Sequence, residues 1–299
     1  MKTSKIAILG ATSHIAKGLI LNFMQSKENE LFLFARIPKK VKEFLEENSL
    51  PLNRHIYDFK HFQREKYDVI INCVGLGTPA KVKEARDEVF KLTEEFDNMI
   101  LEYLYRYPVT LYINFSSGAV YSISVNDIEP EHYYGIAKLH QEAKHRVLKK
   151  LNIVDIRIFS YFSRFIELDS GYFLTELLKS LRKKKTFTTN ASDFIRDFLS
   201  PQDLFTLICL IIKAKPFNGV IDAYSSKPIS KFKLLDYFVK NYSLKYTIDR
   251  NLKLVCPTGV KNRYCSSSRK AAGLGYKPKS SSLETVVTES KYILGAANE

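Results

Sequence analysis

Tyr134 and Lys138 stand four residues apart in Tyr134-Gly135-Ile136-Ala137-Lys138, so on a helix they share one face. Ser116-Ser117-Gly118 precedes them in the chain. A free tyrosine hydroxyl titrates near ~10 and is a poor acid–base group at neutral pH. A nearby ammonium favours the phenolate and pulls that value down. A serine hydroxyl beside the pair can hold the oxygen that gains or loses the proton. The three groups together suit proton transfer to a carbonyl or from an alcohol, chemistry whose partner is a hydride-carrying dinucleotide.

The elements that must position this set read as a nucleotide-binding unit. Lys5-Ile6-Ala7-Ile8-Leu9 is a short apolar run, predicted as a buried strand, and Gly10-Ala11-Thr12-Ser13-His14-Ile15-Ala16-Lys17-Gly18 leads from it into an apolar-periodic helix. Such a turn aims the free N–H groups of a helix N-terminus at an anion. Gly10, Ser13 and Ala16 occupy the three places of the Gly-rich fingerprint with only one glycine among them. Ser13 is the main departure, because a side chain there restricts the approach of a pyrophosphate. Gly10, Thr12, Ser13, His14 and Ile15 are the expected cofactor contacts from this turn.

The next strand, Leu31-Phe32-Leu33-Phe34-Ala35, ends at Arg36, where an acidic residue would bind a ribose 2′-hydroxyl and an arginine suits a 2′-phosphate. Lys39 and Lys40 add charge nearby, so NADP is expected, with NAD as the other candidate. Asp58 and Phe59, after the strand His55-Ile56-Tyr57, are expected beside adenine. Val74 and Gly75, at the end of Val69-Ile70-Ile71-Asn72-Cys73-Val74-Gly75, are expected beneath the cofactor.

Strands and helices alternate through the first part of the chain, which argues a parallel sheet covered on both faces. Val109–Phe115 is a strand that delivers Ser116 and Ser117 at its carboxyl end, where open α/β sheets bind ligands. A helix over Glu131–Lys150 carries Tyr134 and Lys138. The longest predicted helix, about Ala80 to Tyr105, has an apolar seam of Val82, Ala85, Val89, Leu92, Phe96, Met99 and Tyr103. Beyond about residue 164 the pattern loosens, with helices at Gly171–Arg182, Ser230–Tyr242 and from Ser282. The predicted organisation is a dinucleotide-binding domain over 1–163 and a mainly substrate-binding domain over 164–299, with about 198–226 returning to the main sheet.

With 299 residues the chain is long enough for one broad α/β unit and a smaller lobe. Its longest apolar run, Leu204–Ile212, follows the helix-start signature Ser200-Pro201-Gln202-Asp203 and is far short of a membrane span. The first apolar run is already a strand of the fold, so no signal peptide is read, and a cytoplasmic location is expected. Cys73, Cys209, Cys256 and Cys265 are scattered without metal spacing, so reduced thiols and no structural zinc are expected. The net charge of +14 raises nucleic acid as a partner, but the basic residues are spread along the chain and no recognition motif accompanies them. The dense run Arg182-Lys183-Lys184-Lys185 ends a predicted helix, where cations suit the dipole. A positive field would also attract a diphosphate substrate.

Taken in order, the Gly10–Gly18 loop, Ser116-Ser117-Gly118-Ala119-Val120-Tyr121, Tyr134-xxx-Lys138, Arg196-Asp197-Phe198 with Asp203-Leu204, and Leu274-Gly275-Tyr276-Lys277-Pro278 resemble the extended short-chain dehydrogenase/reductase family. The likeness is to its sugar-nucleotide epimerase, dehydratase and ketoreductase branch, and it covers nearly the whole chain. It implies an α/β fold, a Rossmann-like parallel sheet with helices on both faces, plus a smaller C-terminal substrate domain. It also implies a nucleotide-diphosphate sugar in the cleft and, often, a homodimer built from two long helices. Neither nucleic acid nor a membrane is expected as a partner, from the spread of the charge and the short apolar runs. Carried onto this sequence, Ser117 resembles the catalytic hydroxyl and Tyr134 the general acid–base. Lys138 would bind the nicotinamide ribose and lower the tyrosine's pKa. Ser116, Ser117, Gly118, Tyr134 and Arg196 would meet the substrate, Arg196 at its nucleotide or diphosphate end. Ser116 is the alternative to Ser117, Arg196 could instead pair with Asp197 or Asp203, and His140 and His145 read as surface or packing residues.

Several reactions share such a site. A 4,6-dehydratase needs further acid–base groups, usually an acidic pair after the catalytic hydroxyl, and Gly118 and Ala119 stand there. A 3,5-epimerase/reductase would need a second pair, often Cys and His, and the loop has no Cys. A 4-epimerase needs no extra groups but holds its cofactor permanently, usually NAD. Arg36 favours a cofactor that exchanges, so the leading expectation is an NADP-dependent reductase of a nucleotide-linked 4-keto-(6-deoxy) sugar. The alternatives are the NAD-dependent 4-epimerase and, from another class, a non-catalytic dinucleotide-binding sensor or scaffold.

Overall fold

A computed structural model describes residues 4–26, 28–52, 55–76, 86–124, 126–252 and 261–295. The seam positions Val82 and Ala85, and Cys256, lie outside them. The frame is a seven-stranded sheet in the order β7-β6-β5-β4-β1-β2-β3, every neighbouring pair parallel. Its strands are β1 (Ser4–Leu9), β2 (Asn29–Phe34), β3 (Ile56–Tyr57), β4 (Val69–Asn72), β5 (Leu111–Ser117), β6 (Ile153–Ile158) and β7 (Gly219–Asp222). Chain order reverses between β1 and β4, and a crevice opens beyond the carboxyl ends of strands at such a point.

Alternation along β1 shows why both faces must be covered. Ile6 and Ile8 pack into one apolar layer with Leu19 and Phe23 of α1 (His14–Ser26), Val41 and Phe44 of α2 (Pro38–Glu47), and Leu204 and Leu207 of α6 (Pro201–Lys213). Ala7 and Leu9 face the opposite layer, against Ile100, Tyr103 and Leu104 of α3 (Arg86–Arg106). A strand buried on both faces has no polar side to show, hence its unbroken apolar sequence. The helix bearing Tyr134, α4 (Tyr133–Val147), packs beside α3 and on β5.

The turn between β1 and α1 depends on a missing side chain. Gly10 has φ +73°, and a Cβ there would lie 2.8 Å from the Cys73 carbonyl oxygen, so only glycine lets β1 turn against β4. Farther along α1, a Cβ on Gly18 would lie 2.2 Å from the Tyr161 hydroxyl and 3.4 Å from Pro201 Cβ, which is how α1 and the start of α6 approach so closely.

Helix ends follow their local partners rather than the apolar period alone. The helix expected over 131–150 is a short 3-10 turn, Pro130–His132, followed by α4. It stops at Val147 because the Asn218 side-chain amide donates to the carbonyls of His145, Leu148 and Leu151, closing off the chain end.

The C-terminal part adds α5 (Phe173–Arg182), α7 (Lys231–Tyr242) and α8 (Ser282–Leu294) around their own core of Phe162, Leu177, Phe187, Leu235, Phe238 and Val286. Ser281 and Glu284 cap the start of α8 reciprocally. Arg164 grips Glu289 of α8 with two guanidinium nitrogens at 2.9 and 2.8 Å, tying this core to the end of the main sheet. A small three-stranded sheet, with Ile195–Arg196 in the middle between Ile229–Ser230 and Arg263–Tyr264, faces the crevice.

Candidate active site

One cleft of about 1700 Å³ runs from the β1–α1 turn across the ends of β4 and β5 to the C-terminal lobe. At one end its walls are Gly10, Thr12, Ser13, His14 and Ile15, then Arg36 and Lys40 beyond β2, Phe59, and Val74 and Gly75 beyond β4. Ser116, Ser117, Tyr134 and Lys138 line its middle, and Arg196, Lys261 and Tyr264 its far end. The expected site residues therefore meet, with three exceptions. Lys39 lies outside the walls, exposed and 3.7 Å from Glu43. Asp58 also lies outside, because its carboxylate caps the turn Phe59–Arg64 through the Lys60 N–H and holds His61 at 2.7 Å. Gly118 is buried behind Phe159, whose ring would be 2.3 Å from any Cβ at that position.

The two serines are separated by their partners. Ser116 donates to Glu142, which in turn holds Arg157 through both carboxylate oxygens, so its hydroxyl is committed to that ion pair. Ser117 Oγ accepts from the Ala119 N–H at 3.1 Å and lies 2.9 Å from the hydroxyl of Tyr264. Of the two, Ser117 is the one left with a hydroxyl in reach of the cleft. Arg196 is not bound to either nearby aspartate. Its guanidinium donates to the carbonyls of Ile195 and Lys261 and lies over the Phe194 ring, while Asp197 accepts from Ser225 N–H and Asp203 from the N–H groups of Lys279 and Ser280.

The electrostatics differ from the expectation for Tyr134. Burial, with a further push from Tyr133, raises its pKa to about 12, and Lys138 is not among the influences on it. The hydroxyl therefore keeps its proton at neutral pH in the protein alone, because burial disfavours the charged phenolate. Burial draws Lys138 down to about 8, against the carboxylates of Asp97, Asp155 and Glu142. Its ammonium donates to Gln141 Oε1 at 3.3 Å.

Beneath Lys138 lies a network the sequence did not announce. His145 is fully buried, with Nε2 2.8 Å from Asp97 and Nδ1 2.9 Å from Asp155. Burial alone would lower its pKa, but the bonds to Asp155 and Asp97 raise it to about 9. Lys144 and Arg146 close the outer sides of the two aspartates at 2.6 and 2.7 Å, and Tyr112 and Asn114 donate to them from β5. Reading His145 as mere packing missed this. The signal was two aspartates with apolar neighbours: Asp155 inside the apolar strand Ile153–Ile158, and Asp97 at helical spacing from Ile100 and Leu101. His140, by contrast, is exposed and meets Glu94 at 3.2 Å.

The cofactor end fits a dinucleotide by the chemistry of its donors. The α1 N-terminus opens on the cleft with Ser13 and His14 at its rim, and Gly75 has open space where a Cβ would stand. Among the described residues no group of His, Cys, Asp and Glu is placed to hold a metal, and Cys73, Cys209 and Cys265 are free thiols. Among those residues no helix is long and apolar enough to cross a membrane.

A parallel sheet with its crevice at the β1/β4 reversal, and Ser117, Tyr134 and Lys138 lining that cleft, define an extended short-chain dehydrogenase-type enzyme. The family described as the NAD dependent epimerase/dehydratase family matches residues 6–223, and the chain belongs to it. A search of curated protein sequences found no match. Among solved structures, a mutant UDP-glucuronic acid 4-epimerase from Bacillus cereus, in complex with UDP-4-deoxy-4-fluoro-glucuronic acid and NAD, is 18% identical. It superposes with a TM-score of 0.81 over 98% of this chain and 99% of its own. The UDP-glucose 4-epimerase of Thermotoga maritima, with UDP-glucose, gives 0.77 at 16% identity over 98% and 99%. A dTDP-glucose 4,6-dehydratase from Bacillus anthracis, with NAD, gives 0.74 at 13% over 97% and 96%. At these identities the likeness is one of fold.

Proposed function

We propose that the protein is an NAD-dependent 4-epimerase of a nucleotide-diphosphate sugar. The observation that carries this is that Ser117 and Tyr134 line the same cleft, with no further acid or base at Gly118 or Ala119. Inverting one carbinol centre needs a single proton shuttle, whereas dehydration needs a second. The family and the complexes named above favour this over the NADP-dependent reduction expected from Arg36.

A bound nicotinamide supplies a hydride acceptor that becomes the donor for the return step. The residues of this chain do the rest. Tyr134 must first lose its own proton, which burial holds with a pKa of about 12 in the protein alone, so that loss depends on the charge that ligand binding brings to the site. As the phenolate it takes the proton from the sugar's 4-hydroxyl and later restores it. Ser117 holds that oxygen while its charge changes, a role in which one well-aimed donor contributes about 2.7–4 kcal/mol in measured cases. Lys138 places an ammonium at the ribose side. Arg196 and Lys261 offer cations to the diphosphate. The Gly10–Ile15 turn receives the cofactor's own pyrophosphate on the helix N-terminus.

The test is to purify the protein, extract it for bound NAD, and incubate it without added cofactor with UDP- and dTDP-linked hexoses. Interconversion of 4-epimers with no lasting change in reduced-nicotinamide absorbance is expected. Arg36 and Lys40, both on the cleft wall where an acidic residue would bind a ribose hydroxyl, favour a second reading as NADP-dependent reductase. Stoichiometric consumption of NADPH with a keto-sugar nucleotide, and no epimer formed, would replace the first reading with the second. The adjacent helices α3 and α4 are the proposed faces of a homodimer, which light scattering checks.

A further inference from the structure

A side chain of the C-terminal lobe, Tyr264, reaches Ser117. Tyr264 is buried, its ring meets Phe159 edge-on at 5.3 Å, and its hydroxyl stands 2.9 Å from Ser117 Oγ. The residue is far from Ser117 in sequence and belongs to none of the motifs that reveal the family. We propose that Tyr264 is a positioning residue: it donates to Ser117 Oγ and so directs the serine's own proton to the sugar oxygen. This rests on the epimerase reading of the same cleft.

On geometry alone either hydroxyl could donate, and the proposed role of Ser117 selects the direction. A serine hydroxyl has one proton and two acceptor sites. The Ala119 N–H fills one acceptor site of Ser117. Were Ser117 to donate to Tyr264, its proton would be spent and none would remain for the substrate. With Tyr264 as donor, the second acceptor site is filled and the proton has one place left to go, into the cleft. A chain Tyr264 O–H to Ser117 O–H to sugar oxygen also strengthens the last donor, since each bond polarises the next. No atom of Tyr264 is exchanged in the reaction. The tyrosine acts on the aim and the donor strength of Ser117.

The backbone that carries Tyr264 gives this contact a second use. The strand Arg263–Tyr264 pairs in parallel with Ile195–Arg196, Tyr264 opposite Arg196. Arg196 donates to the Lys261 carbonyl at 3.0 Å, and the Lys261 ammonium lies 4.6 Å from the centre of the Tyr264 ring. The cations offered to the diphosphate and the hydroxyl that aims Ser117 are thus carried by one small sheet. Seating the anionic end of the substrate seats the catalytic donor at its other end.

Tyr264→Phe keeps the ring and removes only the hydroxyl. The measurements are kcat and KM of the NAD-loaded full-length protein on the sugar nucleotide that the wild type converts, for Tyr264→Phe, Ser117→Ala and the double variant. Retained NAD and an unchanged melting temperature show that the fold is intact. The expected result is a kcat lowered by about tenfold or more in Tyr264→Phe, below the loss for a direct donor, with KM within about threefold. In the Ser117→Ala background the second substitution is expected to cost nothing further, because both act on one donor. A full-rate Tyr264→Phe in an active enzyme overturns the proposal alone. So does an additive double variant with raised KM, which would mean that Tyr264 binds the sugar itself. Wild-type protein that converts no sugar nucleotide overturns the functional reading and this proposal together.

Discussion

The two halves of helix α4 bury ionisable groups in opposite ways. At its start, Tyr134 and Lys138 face the cleft with few partners, and burial moves both away from their charged forms, the phenol up to about 12 and the ammonium down to about 8. At its end, His145 has a carboxylate on each ring nitrogen and moves towards its charged form, up to about 9. The difference teaches how one helix serves chemistry and stability together. Groups left short of partners stay ready for a substrate, and groups given partners on every side hold the helix in place.

Several experiments can break or sharpen this contrast. The largest effect is expected at the under-partnered end. Tyr134→Phe should lower turnover by about 100-fold or more while bound cofactor stays, as read by steady-state kinetics and NAD extraction. Near-normal turnover would remove Tyr134 from the mechanism. At the other end, His145→Leu leaves two buried carboxylates without their shared cation. Denaturant unfolding should show a loss of about 3–5 kcal/mol, with the remaining folded protein still active. Lys138→Met should do the reverse. It removes a poorly compensated buried ammonium and should stabilise the fold by about 1–3 kcal/mol at neutral pH, while activity collapses.

The pH dependence has opposite signs at the two ends. His145 has a folded pKa above its free value of 6.5, so its stabilisation is complete below about 6.5 and is lost as pH rises through about 9. Lys138 has a folded pKa below its free value of 10.5, so its burden on the fold is complete below about 8 and is relieved above it. Its ammonium is also the form that serves the site, so activity should fall above about pH 8. Melting curves across pH for wild type, His145→Leu and Lys138→Met separate the two. The smallest effect should be at Asp58. Asp58→Asn and Lys39→Ala should leave NAD retention within about twofold, since both side chains lie off the cleft walls.

What the sequence made legible follows from what is local. Gly10, Ser117, Tyr134 and Lys138 are placed by a turn, a strand end and a helix face, each set by spacing over a few residues. Tyr264 was not legible, because its meaning lies in a contact with a serine on a distant strand. Asp58 looked like an adenine ligand from its place after β3, but a nearer backbone N–H and His61 claimed its carboxylate. The proximity of Tyr134 and Lys138 was legible, whereas the direction of the tyrosine's shift was not, since that depends on how much water the folded chain excludes. Asp155 stood in plain view within an apolar strand and Asp97 at helical spacing from Ile100 and Leu101, and only the fold brought His145 between them.

The space behind Gly118 bears on how such a catalyst could change its reaction. A carboxylic acid introduced there by one substitution would collide with Phe159, whose ring also braces Tyr264. An ancestor or a designer seeking to eliminate water from the sugar would first have to shrink Phe159, and would loosen the tyrosine behind the serine in doing so. The route from this pocket to a dehydratase therefore passes through at least one poorer catalyst, a barrier set by shape rather than by a lack of suitable residues.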